Sequence, residues 1–323
     1  MAESILESAQ TAFRHGDFDH AKSLCQSALS SSDAPQSDYS ELFFLTVECL
    51  RIQGDSHGAS RLLDEAPDLM KESQQGSLLL QMHRGYLLGT QSRFAEALKL
   101  LTDAELASQN GNLDSLLGDI RLRKAMVLFF ASDYNASEKL YRSTLEHAVQ
   151  AKDEYRQLLA NAGIGKNNMI RGKFRVAIGW FQQALSIAQA TDESFLAATM
   201  KSELGWCFYN LDENDNAMDL FRQAESAFAN SGAKHNYGIC LANIGNVYYK
   251  QGDYASAVNY YERALAIARE IGDKISTEKW LKNLGIAFSR MGDADAASRY
   301  DLEAMQAKLQ VESERLRAKE MQK

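Results

Sequence analysis

The stretch Asn243-Ile-Gly-Asn-Val-Tyr-Tyr-Lys-Gln-Gly-Asp-Tyr-Ala-Ser-Ala-Val-Asn-Tyr-Tyr-Glu-Arg-Ala-Leu265 decides the fold of this chain. Apolar and small residues recur in it at helical spacing, and Gly252-Asp253 interrupts the pattern near its middle. Glycine readily adopts the left-handed conformation that ends a helix, and aspartate accepts a hydrogen bond from the free amides that start the next one. The stretch therefore predicts two helices joined by a tight turn.

The same pattern recurs along the chain around one small residue. Neighbouring copies are 38 or 40 residues apart, with the small residue at Ala9, Val47, Gly85, Ala125, Gly165, Gly205, Gly245 and Gly285. A short or absent side chain there is expected where the first helix of each pair crosses the second. The second helix carries a one-faced apolar stripe, as at Ala257 and Tyr261, which indicates core packing rather than a cofactor site.

This spacing predicts about eight helix-turn-helix repeats of about 40 residues. They begin near residues 2, 40, 78, 118, 158, 198, 238 and 278 and form one solenoid over residues 1–305. A solenoid behaves as one elongated domain because each repeat contacts mainly its neighbours. Residues 306–323 are polar with sparse apolar positions and predict a helical extension of the last repeat.

Composition narrows the classes of function. The 323 residues carry 35 basic and 43 acidic side chains, which argues against a nucleic-acid-binding surface. No window approaches the roughly 20 apolar residues that span a membrane, and the N-terminal residues lack the pattern of a signal peptide. We therefore expect a cytoplasmic protein. The four cysteines show no CxxC spacing and predict buried, reduced thiols.

The repeated pattern resembles the tetratricopeptide repeat, which has a period of about 34 residues. The resemblance covers essentially the whole chain. It implies an all-α, right-handed α-α superhelix whose first helices line a concave groove. Such a groove suits a peptide or a partner helix, so that the resemblance implies a protein-interaction array.

Four stretches resemble a narrower group, the repeat arrays that precede CHAT domains in bacterial proteins. They are residues 203–209, 219–225, 243–249 and 264–273. CHAT domains are caspase-like cysteine proteases, so the resemblance implies a sensing or regulatory array with such an effector as partner. No His and Cys pair of a protease can be carried over, so we expect either an excised array or a stand-alone array with a separate effector. A general scaffold unrelated to proteases is the alternative.

The residues that could support chemistry are scattered. The six histidines form neither an HExxH motif nor a cluster with cysteines at zinc spacing, so we expect no metal and no cofactor. The segment 160–167 superficially resembles a phosphate loop, but Ala160 replaces its first glycine and Asn167 replaces its Ser or Thr. We expect no catalysis. A catalytic subunit would need clustered polar residues that these motifs do not supply.

Side chains that face the groove are expected two residues before, one after and four after the small residue. Asparagine at such positions can bond a peptide backbone, and aromatic rings add contact area. Lysine and arginine near the C-terminal end predict a basic site for an acidic segment, or else they only solvate that face. The predicted binding residues are Asn243, Asn246, Tyr249, Lys250, Lys279, Lys282, Asn283, Arg290, Trp206, Tyr209, Glu203 and Lys166; Arg123, Met126, Phe129 and Met169 share these positions. Self-association through the first or the eighth repeat is left open.

Overall fold

The computed structural model describes residues 4–30, 38–111, 113–229 and 231–320. These residues form helices joined by short turns, and the described part of the chain contains no β-strand. The chain divides into two compact units, Met1–Cys207 and Phe208–Lys323.

The helices of the first unit follow one another in antiparallel pairs. They are α1 (Ile5–Arg14), α2 (Phe18–Ser30), α3 (Tyr39–Ile52), α4 (Ser56–Asp64), α5 (Asp68–Glu72), α6 (Gln74–Thr90), α7 (Phe94–Asn110), α8 (Asp114–Phe130), α9 (Tyr134–Ala151), α10 (Glu154–Ile170), α11 (Phe174–Ala190) and the larger part of α12 (Ser194–Asn210). The short α5 follows Pro67 and stands outside the pairing. From α6 onward the first and second helices of the pairs are 16 to 18 residues long up to α16.

The second unit continues the same succession from the end of α12. Its further helices are α13 (Asn214–Ala229), α14 (Lys234–Gln251), α15 (Tyr254–Glu270), α16 (Lys274–Met291) and α17 (Ala294–Glu320). The residues predicted as a C-terminal extension prolong α17, and residues 321–323 lie outside the described part. We number the pairs by their first helices, α1, α3, α6, α8, α10, α12, α14 and α16.

The small residue lies where the two helices of a pair cross. A Cβ atom added to Gly165 would lie 2.6 Å from a ring carbon of Phe181, and one added to Gly245 would lie 2.8 Å from Cε1 of Tyr261. The partner is 16 residues further along the chain in both pairs. In the last pair this partner is the exposed Asp301.

First helices of successive pairs lie side by side. In the first unit α6 contacts α8 and α8 contacts α10, and in the second unit α14 contacts α16. Each unit therefore has one surface built from first helices, which we call the first-helix face. Side chains from several pairs can meet on this face.

Tight turns with one left-handed residue end the helices at regular intervals. Gly172, Gly252 and Gly292 have φ values of 73°, 84° and 82°. Where the repeat lacks glycine, another residue takes the same conformation, such as Ser132 with φ 65° and Lys152 with φ 56°. This conformation costs a residue with a side chain roughly 1–2 kcal/mol. Glycine would therefore be more favourable than the residues present at Ser132 and Lys152.

Replacing the left-handed Lys152 by glycine should therefore stabilise the protein. The strain relieved exceeds the extra chain entropy of glycine, and we expect the free energy of unfolding to rise by about 0.5–1 kcal/mol. Urea unfolding measures the change. Lys139 is an exposed residue inside α9, and Lys139→Gly should instead lower stability by about 1 kcal/mol. A loss of stability in Lys152→Gly would contradict the prediction.

Candidate functional site

An ion cluster lies on the first-helix face of the first unit. Glu48 in α3 is buried and pairs with Arg51 of the same helix at 2.8 Å. Its other oxygen, Oε1, lies 2.9 Å from Nη2 of Arg123 in α8 and 3.1 Å from Nδ1 of His83 in α6. One carboxylate thus joins the first helices of three successive pairs. We call these four residues the Glu48 cluster.

The environment fixes the charges of the Glu48 cluster. Burial disfavours the carboxylate of Glu48, but Arg123, Arg51 and the hydrogen bond of His83 outweigh it and hold the Glu48 pKa well below its usual range. Burial lowers the pKa of His83, whose ring stacks on Phe44 at 4.6 Å. His83 is therefore neutral near pH 7 and donates its Nδ1–H to Glu48. Two guanidinium groups against one carboxylate leave one excess positive charge.

A cavity of about 480 Å³ opens beside the Glu48 cluster. Glu48, His83 and Arg123 line it. First helices and the segments that precede them supply the rest of the wall, namely Gln10, Phe13, Ser40, Glu41, Phe44, Leu45, Ser73, Gln75, Gly76, Leu79 and Tyr155. Tyr155 is a large lining residue that is 47% exposed. A size of 300–1,000 Å³ with a few convergent polar groups is typical of ligand pockets.

Tyr86 supports the two arginines of the Glu48 cluster. The guanidinium carbon of Arg123 lies 4.5 Å from the Tyr86 ring centroid, and that of Arg51 lies 5.1 Å from it. Both distances are within the range of a cation–π interaction. The ring therefore restricts the direction in which Arg123 faces the cavity.

The two ends of the first unit meet. Nε2 of His15, at the end of α1, lies 3.0 Å from Oδ2 of Asp192, which is 177 residues further along the chain. The rings of Phe18 in α2 and Phe195 in α12 pack edge to face, 5.0 Å apart. The first pair thus closes onto the start of the sixth.

Three of the predicted binding residues belong to the first unit. Nζ of Lys166 pairs with Oε1 of Glu203 at 3.0 Å, and Glu203 raises the Lys166 pKa. Trp206 is half-buried on the same helix as Glu203. Lys166 and Glu203 thus form an ion pair between the first helices of the fifth and sixth pairs.

Asparagines of the second unit meet on its first-helix face. Oδ1 of Asn246 accepts hydrogen bonds from the Tyr261 hydroxyl at 2.7 Å and from Nδ2 of Asn283 at 3.4 Å. Asn243 is buried, and its side chain makes no hydrogen bond within the described residues. The hydrogen-bonding capacity of Asn243 is therefore unused within the described residues, whereas that of Asn246 is partly used.

Several of the predicted cations are paired within the second unit. Lys250 pairs with Asp212 and donates to the backbone carbonyl of Tyr209 at 2.8 Å. Lys282 pairs with Glu278 at 2.7 Å on its own helix. These pairs reduce the positive field that was expected at this end of the groove.

The other two predicted cations lie against aromatic residues. Nε of Arg290 donates to the Tyr249 hydroxyl at 3.2 Å. Nζ of Lys279 lies 4.9 Å from the ring centroid of Trp280, and burial lowers its pKa. Eight of the twelve predicted residues thus contact one another in pairs, namely Lys166 with Glu203, Asn246 with Asn283, Lys250 with Tyr209, and Arg290 with Tyr249. The proposed basic end stays a prediction.

The Glu48 cluster was not identified from the sequence, although the cluster residues occupy the positions that the repeat pattern predicts to face the groove. Glu48 and Arg51 stand one and four residues after Val47, and His83 stands two before Gly85. These are the expected groove-facing positions. The rule was applied only from the fourth repeat onward, so that it identified Arg123 alone.

Acid should destabilise the first unit through His83. An unfolded histidine titrates near pH 6.5, whereas burial keeps the folded-state pKa of His83 lower. Below about pH 6.5 the unfolded chain binds a proton that the folded chain does not. The free energy of unfolding therefore decreases as the pH is lowered. Melting temperatures between about pH 7 and pH 5 should therefore fall less in His83→Gln than in wild type.

The control is a histidine outside the Glu48 cluster, the exposed His147 of α9. His147→Gln should follow the wild-type pH dependence because the substitution leaves the Glu48 cluster intact. An equal fall in wild type and His83→Gln would show that another group carries the acid sensitivity.

Other chemistry finds little support in the described residues. They contain no group of three His, Cys, Asp or Glu side chains that could hold a metal ion. The four cysteines are buried free thiols, and burial raises the pKa of Cys25 to about 11. The segment 160–167 lies inside α10 and forms no phosphate loop. No helix in the described ranges is long and apolar enough to cross a membrane.

Comparisons with known proteins identify the repeat. Sequence models of the tetratricopeptide repeat match residues 203–231 and 233–310. The chain therefore contains tetratricopeptide repeats, and the predicted fold class, an all-α solenoid of this type, is confirmed. A comparison with functionally characterised proteins gave no significant match.

Several solved structures share the fold. A Rap protein in complex with competence and sporulation factor is 17% identical, with 96% of this chain and 98% of that chain covered at a TM-score of 0.63. The Cut9–Hcn1 hetero-tetramer of the APC/C is 15% identical, with 94% and 54% covered at 0.65. The apo quorum sensor NprR from B. thuringiensis is 14% identical, with 94% and 97% covered at 0.55. These identities show likeness of fold alone.

Proposed function

We propose that this chain is a non-catalytic protein-interaction array, acting in the cytoplasm, that binds a peptide or an extended partner segment on its first-helix face. One observation carries the proposal. In the first unit, side chains from successive first helices converge on a cavity of about 480 Å³ that combines the Arg123 guanidinium, the carboxylates of Glu41 and Glu48, aromatic rings and amides. Such a mixture recognises a peptide backbone and its side chains together.

Structures of similar fold support the same function. The Rap protein was crystallised with competence and sporulation factor, and NprR is described as a quorum sensor. The alignment with this chain covers nearly the whole length of both proteins. The proposal extends the binding role of such arrays to this chain, with its own side chains at the groove-facing positions.

Affinity capture tests the proposal. The full chain serves as bait for a lysate of the source cells, next to a Tyr155→Ala variant and a variant with Asn243, Asn246 and Asn283 changed to alanine. Asn259 is exposed on the second helix α15, so Asn259→Ala is the control. We expect a ligand that wild type and the control retain and that one of the first-helix variants loses. Equal recovery by all baits would place binding elsewhere, on the second helices or the termini.

The resemblance to arrays that precede CHAT domains supports a narrower proposal. We propose that the array senses a signal for, or restrains, a CHAT-type protease. The four stretches quoted for that resemblance lie between residues 203 and 273 and overlap the matched repeats. A caspase-like protein among the captured partners would support this role. Capture of two unrelated proteins that bind the array at the same time would instead favour the alternative function, a general scaffold unrelated to proteases.

A further inference from the structure

Arg123 has hydrogen-bonding capacity that the protein does not use. Its Nη2 donates to Glu48, and a guanidinium carries five N–H donors. No other described residue accepts a hydrogen bond from Arg123. The side chain is 21% exposed, lines the cavity and is held on the Tyr86 ring at 4.5 Å. Arg123 therefore has unused donors on a side chain that lines the cavity.

Glu48 does not depend on Arg123 alone. Its Oε2 keeps Arg51 at 2.8 Å, and its Oε1 keeps the Nδ1–H of His83 at 3.1 Å. The carboxylate would thus stay neutralised and hydrogen-bonded if Arg123 turned away. Arg123, by contrast, has only this one carboxylate partner within the described residues.

We propose that Arg123 recognises a carboxylate of the ligand and that Glu48 is its internal competitor. This inference rests on the proposed function and names the chemistry of its ligand. A carboxylate beside Arg123 can take two parallel N–H donors, which is the strongest geometry for this pair. Tyr155 lines the same cavity, and its hydroxyl has no hydrogen-bond partner among the described residues.

Recognition is thereby coupled to the shape of the first unit. Glu48 and Arg123 belong to the second and the fourth pair and lie 75 residues apart in sequence. When a ligand carboxylate replaces Glu48 at Arg123, this polar contact between the two pairs is lost. Binding of an acidic group then changes how their first helices are held.

Three pools of random, N-acetylated hexapeptides test the inference on the immobilised full chain. The first pool contains Asp and Glu and has amidated C-termini. The second lacks Asp and Glu and has free C-termini, and the third lacks both kinds of carboxylate. Mass spectrometry identifies the retained peptides. We expect retention from the first or the second pool, which shows whether a side-chain or a terminal carboxylate is read, and none from the third.

Four variants separate recognition from structural support. Arg123→Gln should reduce retention about tenfold or more, whereas Arg121→Gln on the same helix, outside the cavity, should not. Glu48→Gln should raise retention severalfold because the competitor is weakened. Its control is Glu105→Gln, since Glu105 pairs with Arg121 and Lys124 at 2.8 Å away from the cavity. Opposite effects of Arg123 and Glu48 distinguish competition from a merely structural pair, which would lose binding in both.

The outcomes are decisive in either direction. Retention from all three pools alike, or an unchanged Arg123→Gln, would overturn the inference and leave the proposed function standing. A folded Glu48→Gln variant that retains no more than wild type would overturn the competition. Retention from no pool would overturn both the inference and peptide binding itself. If Glu48→Gln fails to fold, Arg123→Gln against Arg121→Gln still decides recognition, because Glu48 keeps two partners in the former.

Discussion

Replacing Glu48 by alanine should destabilise the first unit by about 3–5 kcal/mol. The carboxylate is buried among Arg51, Arg123 and His83, and its removal leaves two guanidinium groups close together without an anion. The cost comes from uncompensated charge more than from lost attraction. Urea unfolding, followed by helical circular dichroism, measures the change in the transition of this unit.

A surface pair provides the control. Glu96 pairs with Arg93 at the exposed start of α7, and Glu96→Ala should leave the unfolding midpoint nearly unchanged because exposed pairs contribute little. If Glu48→Ala behaved in the same way, the Glu48 cluster would not be a buried charge network, and its part in the cavity would need another explanation.

Gly245→Leu should cost about 1–3 kcal/mol in the second unit. A Cβ added at this position would lie 2.8 Å from the Tyr261 ring, which is itself buried, so a leucine would force the two helices of the seventh pair apart. The same displacement would disturb the Tyr261 hydroxyl and its hydrogen bond to Asn246. Thermal unfolding and retention of the captured ligand should both reveal the change.

Gly238 lies on the same helix and supplies the matched control. A Cβ added there would lie 3.5 Å from its nearest neighbour, an ordinary contact with Ile267. Gly238→Ala should therefore raise stability by about 0.5–1 kcal/mol, the usual advantage of alanine inside a helix. Equal behaviour of the two variants would mean that the helix crossing does not lie at Gly245.

The fold was accessible from sequence because its determinants are local and repeat. Gly165 and Gly245 stand at the same place in their repeats, and each faces a bulky residue 16 positions later. Helix ends were equally readable where Gly252 and Asp253 occur together. Ser132 and Lys152 were not, because their left-handed conformation follows from the repeat geometry and not from their own preference.

The candidate site was only partly accessible for a different reason. The groove-facing rule gives directions along one helix, whereas the Glu48 cluster depends on which side chains of three pairs reach one another. The sequence near Val47 does not predict that Nη2 of Arg123 lies 2.9 Å from Oε1 of Glu48. Likewise, the predicted cation Lys250 is neutralised by Asp212, 38 residues earlier. Which side chains of different repeats pair with one another depends on how the helices pack. A single sequence does not predict these pairs without the fold.

The contact between the ends of the first unit changes how that unit should unfold. In an open array the terminal repeat frays first, because it has a neighbour on one side only. Here α1 and α2 have neighbours on both sides, since His15 and Phe18 meet Asp192 and Phe195. Loss of the first pair would uncover the fully buried ring of Phe18 and expose the start of the sixth pair as well. Hydrogen exchange should therefore report opening of the two ends of the first unit as a single cooperative event.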